Sequence, residues 1–475
     1  MGRCRRSASD HDPSERAVRS RRRAQSRALR GRHLVSTSAG ESSIDPRLLF
    51  SGPDAPDEAD LYKCVHCGFC LQACPTYLET GLETESPRGR IALMKAVNEG
   101  RVGATQSVVK HWDLCIQCRA CEVACPSGVP YGRLIGATMS QVESKRELGM
   151  FGAVASDIAL RRLAPNQGRL ELLAGAARVY QRSGLQSVVR GSGLLKRLSP
   201  SLDHMERSLP DVPATKFKAR DQVVKPRDER RARVALLSGC VMPLVNGPEM
   251  NAVVRILTRN GVEVVVPKDQ ACCGAINSHA GDLATTRDLA RRNVDAFLST
   301  GADAIVVASA GCGARMKEYD HLLVDDPEYR DKAAQLSAMV KDIHEYLVEL
   351  PFEPPEGELN YRVTYQDPCH LANAQRITAP PRQILRSIPG VELVELSNAA
   401  VCCGAGGTYT ITEREFSLRV LDSKMKAVKS TDADVVATAN PGCLLQLKLG
   451  AQRDGLPVQV KYVTDLLDES YRKRP

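Results

Sequence analysis

The hydrophobic pattern of residues 231–475 alternates short apolar runs with longer amphipathic segments. In the first part of this region the runs predict strands at 234–238, 262–267 and 304–308, and the segments between them predict helices at 249–259 and 282–298. Buried strands that alternate with helices are typical of an α/β unit with a mainly parallel sheet. We therefore predict an α/β fold for this part of the chain.

The same region contains an internal repeat. Each half carries a Cys, then a Cys-Cys-Gly motif, then a Cys: Cys240, Cys272, Cys273 and Cys312 in the first half, and Cys369, Cys402, Cys403 and Cys443 in the second. Equivalent cysteines are 129 to 131 residues apart, so the halves align with almost no insertion. The pattern predicts two repeated α/β Cys-Cys-Gly domains, at 231–355 and 356–475.

The chain before the repeat divides into three further parts. Residues 1–45 are rich in Arg, without a periodic apolar face, and predict a disordered tail. Residues 46–145 hold eight cysteines and a helix over 87–97, with Ser86 as N-cap and Pro87 at its first position. Residues 146–230 predict a helical spacer, with helices near 150–164 and 168–182, and a linker rich in Pro and charge follows over 210–233. The fold class is thus a multidomain combination of α+β and α/β.

The eight cysteines of 46–145 form two runs with the spacing C-x2-C-x2-C-x3-C-P: Cys64, Cys67, Cys70 and Cys74, then Cys115, Cys118, Cys121 and Cys125. In such runs three thiolates hold one cubane and the fourth closes the opposite cluster. We therefore assign Cys64, Cys67, Cys70 and Cys125 to a first 4Fe–4S cluster, and Cys115, Cys118, Cys121 and Cys74 to a second. A zinc site is the alternative, but zinc favours two separate C-x2-C pairs. Two clusters held together predict one-electron transfer.

The cysteines of the repeat predict two further metal or cluster sites. Four thiols from separate loops are enough to hold zinc or an iron–sulfur cluster, and ligand softness does not distinguish the two. Gly274, Gly404, Gly406 and Gly407 would let the backbone turn closely around a metal. Inert buried cysteines are the alternative, which the duplication disfavours. His370, next to Cys369, is a candidate ligand or redox partner, or a polar residue at a helix start.

Composition and charge exclude several classes of protein. The chain has 475 residues and 17 cysteines. It is too long for a small secreted disulfide scaffold, and no apolar leader segment lies near its start, so the sequence does not predict such a scaffold. Its net charge is +9, of which residues 1–34 supply +8 through eleven Arg against three acidic residues, so a nucleic-acid partner is not predicted. The longest run of low polarity, 304–314, is too short to span a bilayer.

Together these motifs resemble a known family, the iron–sulfur subunits of glycolate oxidase. The resemblance covers roughly residues 55–470 and is carried by the two cysteine runs, the Pro87-Arg88-Gly89-Arg90 helix start, the paired Cys-Cys-Gly motifs, Asp367-Pro368-Cys369-His370-Leu371 and Asn440-Pro441-Gly442-Cys443. It implies two 4Fe–4S clusters, partner flavoprotein subunits that carry FAD and oxidise glycolate or D-lactate, and electron delivery to a membrane quinone pool. It also implies a cytoplasmic protein, peripheral at the inner face of the cell membrane through its complex.

Related Cys-Cys-Gly domains in heterodisulfide reductase hold a non-cubane cluster with the help of a C-x-x-C ending. This sequence has Arg315 and Gln446 at the corresponding positions, which puts clusters of that type in doubt. The chain also lacks the G-x-G-x-x-G and P-loop fingerprints, which agrees with a flavin on a partner.

Several alternative functions are open. The iron–sulfur subunit of anaerobic glycerol-3-phosphate dehydrogenase shares this domain order. The others are the iron–sulfur subunit of a D-lactate dehydrogenase, an enzyme like heterodisulfide reductase, and a binding module or redox sensor with structural zinc in its repeats. The residues at both Cys-Cys-Gly motifs favour a subunit of a 2-hydroxy-acid oxidising complex.

Overall fold

The computed structural model describes residues 50–146, 161–163, 166–199, 203, 206, 209–218 and 220–473. Cys4, the predicted tail and nearly all of the helix predicted near 150–164 lie outside these residues.

The first described block is helical. Its helices are α1 (Glu58–Tyr62), α2 (Pro75–Thr80), α3 (Pro87–Asn98), α4 (Gln106–Asp113), α5 (Ala120–Val123) and α6 (Tyr131–Ser144), with a 3₁₀ turn at Glu83–Glu85. The Ser86 side chain accepts a hydrogen bond from the Gly89 N–H at 3.0 Å, so the predicted N-cap and start of α3 are confirmed. A core that includes Met94, Trp112 and Leu134 holds these short helices together.

Three further helices follow: α7 (Gln167–Arg182), α8 (Leu185–Ser192) and α9 (Leu194–Leu198). The start of α7 lies one residue before the predicted position because the Asn166 side chain caps it by accepting from the Arg169 N–H. No residue of α7 or α8 is buried, so this segment adds little to the core.

The first half of the repeat is a five-stranded sheet covered by helices. Its strands are β1 (Gln222–Val224), β2 (Ala232–Leu237), β3 (Val262–Val266), β4 (Ala304–Val307) and β5 (Val340–Asp342), in the order β1-β3-β2-β4-β5. Its helices are α10 (Met242–Val245), α11 (Gly247–Arg259), α12 (Ala275–His279), α13 (Leu283–Leu298), α14 (Ala310–Met316), α15 (Tyr319–Leu322), α16 (Arg330–Met339) and α17 (Ile343–Glu349). All neighbouring strands are parallel except β1, which pairs antiparallel with β3. The predicted parallel α/β unit is confirmed.

One predicted segment differs. The sequence predicts a linker over 210–233, but β1 lies inside it and β2 begins at Ala232. Strand β1 has only three residues, too few for a periodic hydrophobic pattern. Its ladder hydrogen bonds come from the outer edge of β3, which is distant in sequence.

The second half has a four-stranded sheet in the order β7-β6-β8-β9. Its strands are β6 (Tyr361–Tyr365), β7 (Val391–Glu395), β8 (Val435–Thr438) and β9 (Gln459–Tyr462), all parallel to their neighbours. Its helices are α18 (Ala379–Ser387), α19 (Tyr409–Thr412), α20 (Arg414–Lys429), α21 (Pro441–Arg453) and α22 (Val463–Arg472), and a π-helical turn lies at His370–Ala374. The predicted repeat of the fold is confirmed.

The two halves share one hydrophobic core. It contains Val234 and Ile256 from the first half and Val363 and Leu466 from the second. Helices α11 and α22 pack together at this junction, where Arg255 makes two hydrogen bonds, at 2.9 and 2.7 Å, to the buried carboxylate of Asp468. The halves therefore pack together as one unit that carries the cysteine loops of both.

The same junction contains a destabilising charge. Burial, and next the nearby Glu249, raise the pKa of Asp465 on α22 from 3.8 to about 7. Between about pH 4 and 7 the unfolded chain has lost this proton while the folded chain keeps it, so stability falls as the pH rises through this window. Above pH 7 Asp465 is charged in the folded chain as well, and the full destabilisation from burying its charge is present.

We expect Asp465→Asn to raise the thermal midpoint, because the amide carries no charge and still accepts from the Tyr462 N–H. At about 1.4 kcal/mol per pKa unit, the gain is on the order of 4 kcal/mol at pH 8 and roughly half of that at pH 5.5. Thermal unfolding at both pH values measures it. The matched variant Asp468→Asn loses the ion pair with Arg255 and lowers the midpoint at pH 8. Equal gains for Asp465→Asn at both pH values would contradict this assignment.

Candidate iron–sulfur sites

The first four-cysteine set surrounds a small cavity near the surface. Its members, here called the surface group, are Cys64, Cys67, Cys70 and Cys125. Cys67 is exposed, whereas the other three are partly buried. Lys95 donates to the Cys64 carbonyl at 3.1 Å and Arg88 to the His66 carbonyl at 2.9 Å, so two cations hold this loop from the side of α3. Cys121 lines this cavity as well as the neighbouring one, so the thiols around the cavity come from both sequence runs.

The second set lines a neighbouring, more enclosed cavity. Its members, here called the inner group, are Cys74, Cys115, Cys118 and Cys121. Cys74 and Cys121 are buried. The Gln117 N–H donates to the Cys115 Sγ at 3.4 Å and the Tyr131 hydroxyl donates to it at 3.6 Å. Such donors favour a charged sulfur ligand.

Two residues in each cysteine loop adopt positive φ. They flank the second cysteine of each run: His66 and Gly68 around Cys67, with φ of 57° and 89°, and Gln117 and Arg119 around Cys118, with φ of 57° and 62°. Three of the four are not glycine, and each such residue costs about 1–2 kcal/mol. This backbone turn directs the thiols of each run towards one point, which is a reason to tolerate the strain. His66 and Arg119 therefore shape the loops.

A buried ion pair supports the inner group. Arg90 on α3 is fully buried and lines its cavity. Its guanidinium donates to the Glu85 carboxylate at 2.8 Å, to the Thr76 hydroxyl at 3.1 Å and to the His111 carbonyl at 2.6 Å. Burial opposes its charge, but Cys115 and other neighbours outweigh that and raise the pKa of Arg90. The guanidinium of a buried Arg90–Glu85 ion pair thus lies beside the inner thiols.

The first half of the repeat brings its four predicted cysteines together. These residues, here called the first-half group, are Cys240, Cys272, Cys273 and Cys312. The sulfurs of Cys240 and Cys272 are 3.4 Å apart. Cys240 lies beyond the end of β2 and Cys312 lies on α14 beyond β4, so the carboxyl ends of parallel strands position them.

The second half repeats this arrangement. The second-half group consists of Cys369, Cys402, Cys403 and Cys443. The sulfurs of Cys403 and Cys443 are 3.4 Å apart, and the Gly404 N–H donates to the Cys402 Sγ at 3.3 Å. Gly404 has φ of 88°, and a Cβ there would lie 2.4 Å from the Ser417 carbonyl oxygen. The predicted role of this glycine in a close backbone turn therefore has a geometric basis.

The inner group lies against the second-half group. Burial, and next the charge of Cys369, raise the pKa of Cys118 well above its usual value. Ile116 packs in one apolar cluster with Cys402, and Cys118 and Cys369 border that cluster. Asn373 donates to the Cys118 carbonyl at 3.0 Å. Three loops from distant parts of the sequence therefore meet here.

His370 has a contact of its own at this junction. Its Nε2 lies 3.0 Å from the Gln117 carbonyl oxygen, and its ring meets that of His279 edge to face at 5.2 Å. The structure thus gives His370 a role in joining the domains. The roles predicted for His370 from the sequence were a ligand, a redox partner or a polar residue at a helix start.

Sequence reasoning missed two buried cations, Arg90 and Lys424. Lys424 lies on α20 at 0% exposure, among the apolar residues Val420, Leu421 and Val428. The sequence does contain a signal for Lys424, because it lies in the apolar stripe of an amphipathic helix. A lysine at such a position is buried, so its charge must be compensated by groups in the interior.

The donor set fits iron–sulfur clusters, because sulfur ligands with nearby N–H and O–H donors are what such clusters bind. Within the described residues, no group of three or more His, Cys, Asp or Glu side chains has the geometry of a site for a single metal ion. In the same part of the chain, no helix combines the length and apolar character needed to cross a bilayer.

Three family models match the chain. A 4Fe–4S dicluster domain matches residues 60–129, and a cysteine-rich domain matches twice, at residues 234–317 and 363–448. The linker region of the glycolate oxidase iron–sulfur subunit matches residues 152–209. These models cover both cysteine runs and both halves of the repeat, and they support iron–sulfur clusters.

Curated relatives resemble nearly the whole chain. A probable glycolate oxidase iron–sulfur subunit from Bacillus subtilis is 45% identical over 87% of this chain and 95% of its own length. The glycolate oxidase iron–sulfur subunit of Escherichia coli is 34% identical, over 82% of this chain and 91% of its own length. One subunit of the fumarate reductase (CoM/CoB) of Methanothermobacter marburgensis is 28% identical, over 93% of this chain and 77% of its own length. The chain therefore belongs to the family of glycolate oxidase iron–sulfur subunits.

Proposed function

We propose that this chain is the electron-transfer subunit of a glycolate oxidising complex, in which it receives electrons from a flavoprotein partner and passes them towards a quinone. The observation that carries the proposal is the order of the cysteine groups. The surface group has the exposed Cys67, the inner group is enclosed, and its Cys118 lies beside Cys369 of the second-half group. A series of redox groups that begins at the surface is what an electron-transfer subunit requires.

The ligand assignment is part of this proposal. The surface group would hold one 4Fe–4S cluster and the inner group the other, with Cys74 and Cys125 each serving the cluster of the opposite run. Such clusters, when bound, carry one electron at a time. The first-half and second-half groups would hold additional iron–sulfur clusters, with zinc as the alternative.

The protein's own groups adjust the charge around the thiols. The N–H groups of Gln117 and Gly404 donate to Cys115 and Cys402, and the guanidinium of the Arg90–Glu85 ion pair lines the cavity of the inner group. Each of these contacts stabilises negative charge on sulfur, and an added electron increases that charge. They therefore favour the reduced form.

The flavin belongs on a partner in this proposal. The carboxyl ends of the parallel strands, where α/β sheets usually bind nucleotides, are occupied in both halves by the Cys-Cys-Gly loops. Hydride removal from glycolate would take place on the flavoprotein, and its two electrons would enter this chain singly.

We expect pairs of Cys→Ser variants to separate the two ligand sets. Cys74→Ser and Cys118→Ser remove the same low-temperature EPR signal from the reduced, anaerobically purified chain, because both thiols line the inner cavity. Cys64→Ser and Cys125→Ser remove the other signal. Iron analysis of the same samples shows a loss of about four irons in each variant. If Cys74→Ser removes the signal that Cys64→Ser removes, the interleaved assignment is wrong.

We also expect the chain to purify with a flavoprotein from its native host, and the complex to reduce a dye when glycolate is added. In the complex with Cys70→Ser, glycolate still bleaches the flavin, whereas dye reduction at the iron–sulfur end falls at least tenfold. Absorbance of flavin and dye measures both. Glycolate oxidation by this chain alone would contradict a flavin on the partner, and loss of flavin bleaching in Cys70→Ser would indicate a purely structural role.

A further inference from the structure

The two halves of the repeat differ at one buried position. Helices α13 and α20 are equivalent, and both have 16 residues, offset by 131. Thr286 and Ser417 agree with this offset, because both hydroxyls lie next to the glycine carbonyl of the nearby Cys-Cys-Gly motif. Ser417 donates to the Gly404 carbonyl at 2.8 Å, and Thr286, which donates to the Asp282 carbonyl at 2.7 Å, lies 3.5 Å from the Gly274 carbonyl. The same offset pairs Asn293 with Lys424, and both are 0% exposed.

In the first half this position holds a neutral amide. Asn293 donates to the Cys272 carbonyl at 3.0 Å and accepts from the Ala271 N–H at 2.8 Å, and its amide also contacts the Tyr319 hydroxyl at 3.1 Å. The side chain thus fixes the Cys-Cys-Gly loop by hydrogen bonds and adds no charge to the first-half group.

In the second half the same position holds an ammonium group. Lys424 donates to the carbonyls of Asn398 and Ala399, in the loop that leads to Cys402. Burial lowers its pKa to about 8, against the opposing effect of Cys403 and its neighbours, so Lys424 is mainly charged at neutral pH. Like Asn293 it fixes the loop, but it also brings a cation.

Among the described residues, no carboxylate neutralises this cation directly. Asp367 is the carboxylate whose charge acts on Lys424, but Arg382 already donates to both carboxylate oxygens of Asp367 at 2.8 Å. The carbonyls that accept from Lys424 have no formal charge. A buried charge is stable only when it is compensated, and the compensation available to Lys424 is the negative charge of the second-half group.

The side that carries this cation is also the side that meets the inner group. Cys118 lies beside Cys369, which belongs to the second half. Because an added electron increases the negative charge of a thiolate-bound cluster, a nearby buried cation stabilises the reduced form and raises the reduction potential.

We propose that Lys424 makes the two halves unequal as electron carriers: it raises the reduction potential in the second half, which then receives the electron that leaves the inner group. The inference rests on the proposed function, which assigns iron–sulfur clusters to these groups. One electron leaves the reduced cluster of the inner group and one enters the oxidised cluster of the second half. No bond breaks and no proton is consumed.

The test is an EPR-monitored redox titration of the complete, anaerobically purified chain. We expect Lys424→Asn, which installs the residue of the first half, to lower the ratio of reduced to oxidised cluster in the second half about tenfold at a fixed potential, a shift of about 59 mV for one electron. Lys424→Met keeps the aliphatic stem and removes the charge, and we expect it to lower the same ratio. It replaces the Asn variant in this test if that variant folds poorly. The control Lys426→Asn removes one charge from the exposed side of the same helix and changes that ratio by less than about 1.5-fold, since exposed charges are strongly screened.

The outcomes separate the two proposals. If the wild-type chain shows no iron–sulfur signal that a Cys403→Ser variant removes, the cluster assigned to the second half is wrong and the inference falls with it. If that signal is present and neither Lys424 variant shifts its potential beyond the Lys426→Asn control, the role of Lys424 is wrong while the proposed function stands.

Discussion

Groups of four thiols must converge within a few ångström although their residues lie far apart in the sequence. In the second half, the sulfurs of Cys403 and Cys443 approach to 3.4 Å across a separation of 40 residues. Parallel sheets meet this constraint, because their strands end at one edge and the loops there can point at a common centre. The shared core of the two halves then keeps both loop sets in fixed relation, and the inner group is placed against one of them.

The two halves have the same fold but differ in the charge beside their cysteine groups. Both halves place a hydroxyl of the following long helix next to the glycine carbonyl of the Cys-Cys-Gly turn, at Thr286 and Ser417. They differ in charge, with Asn293 in one and Lys424 in the other. Duplication supplies the geometry of two sites, and one substitution in the interior is enough to give them different electronic properties.

Much of the fold follows from local pattern. The start of α3 could be predicted because Ser86 and Pro87 act within a single turn, and strands β2, β3 and β4 because each is a continuous apolar run. The placement of Cys118 and Cys369 at one apolar cluster could not be predicted, since about 250 residues separate the two and only tertiary packing joins them. Lys424 was missed for a related reason: the sequence shows a lysine among apolar residues, but its compensation depends on thiols from two other segments, at 402–403 and at 443.

The central claim is that electrons from glycolate enter this chain at the surface group and continue inward. Rapid-freeze EPR of the anaerobic complex after mixing with glycolate tests it most directly. The account predicts that the flavin is reduced first, that the signals of the surface and inner groups follow, and that Cys118→Ser removes the inner signal while the surface group is still reduced. Reduction of the flavin with no change in any iron–sulfur signal of this chain would contradict the account.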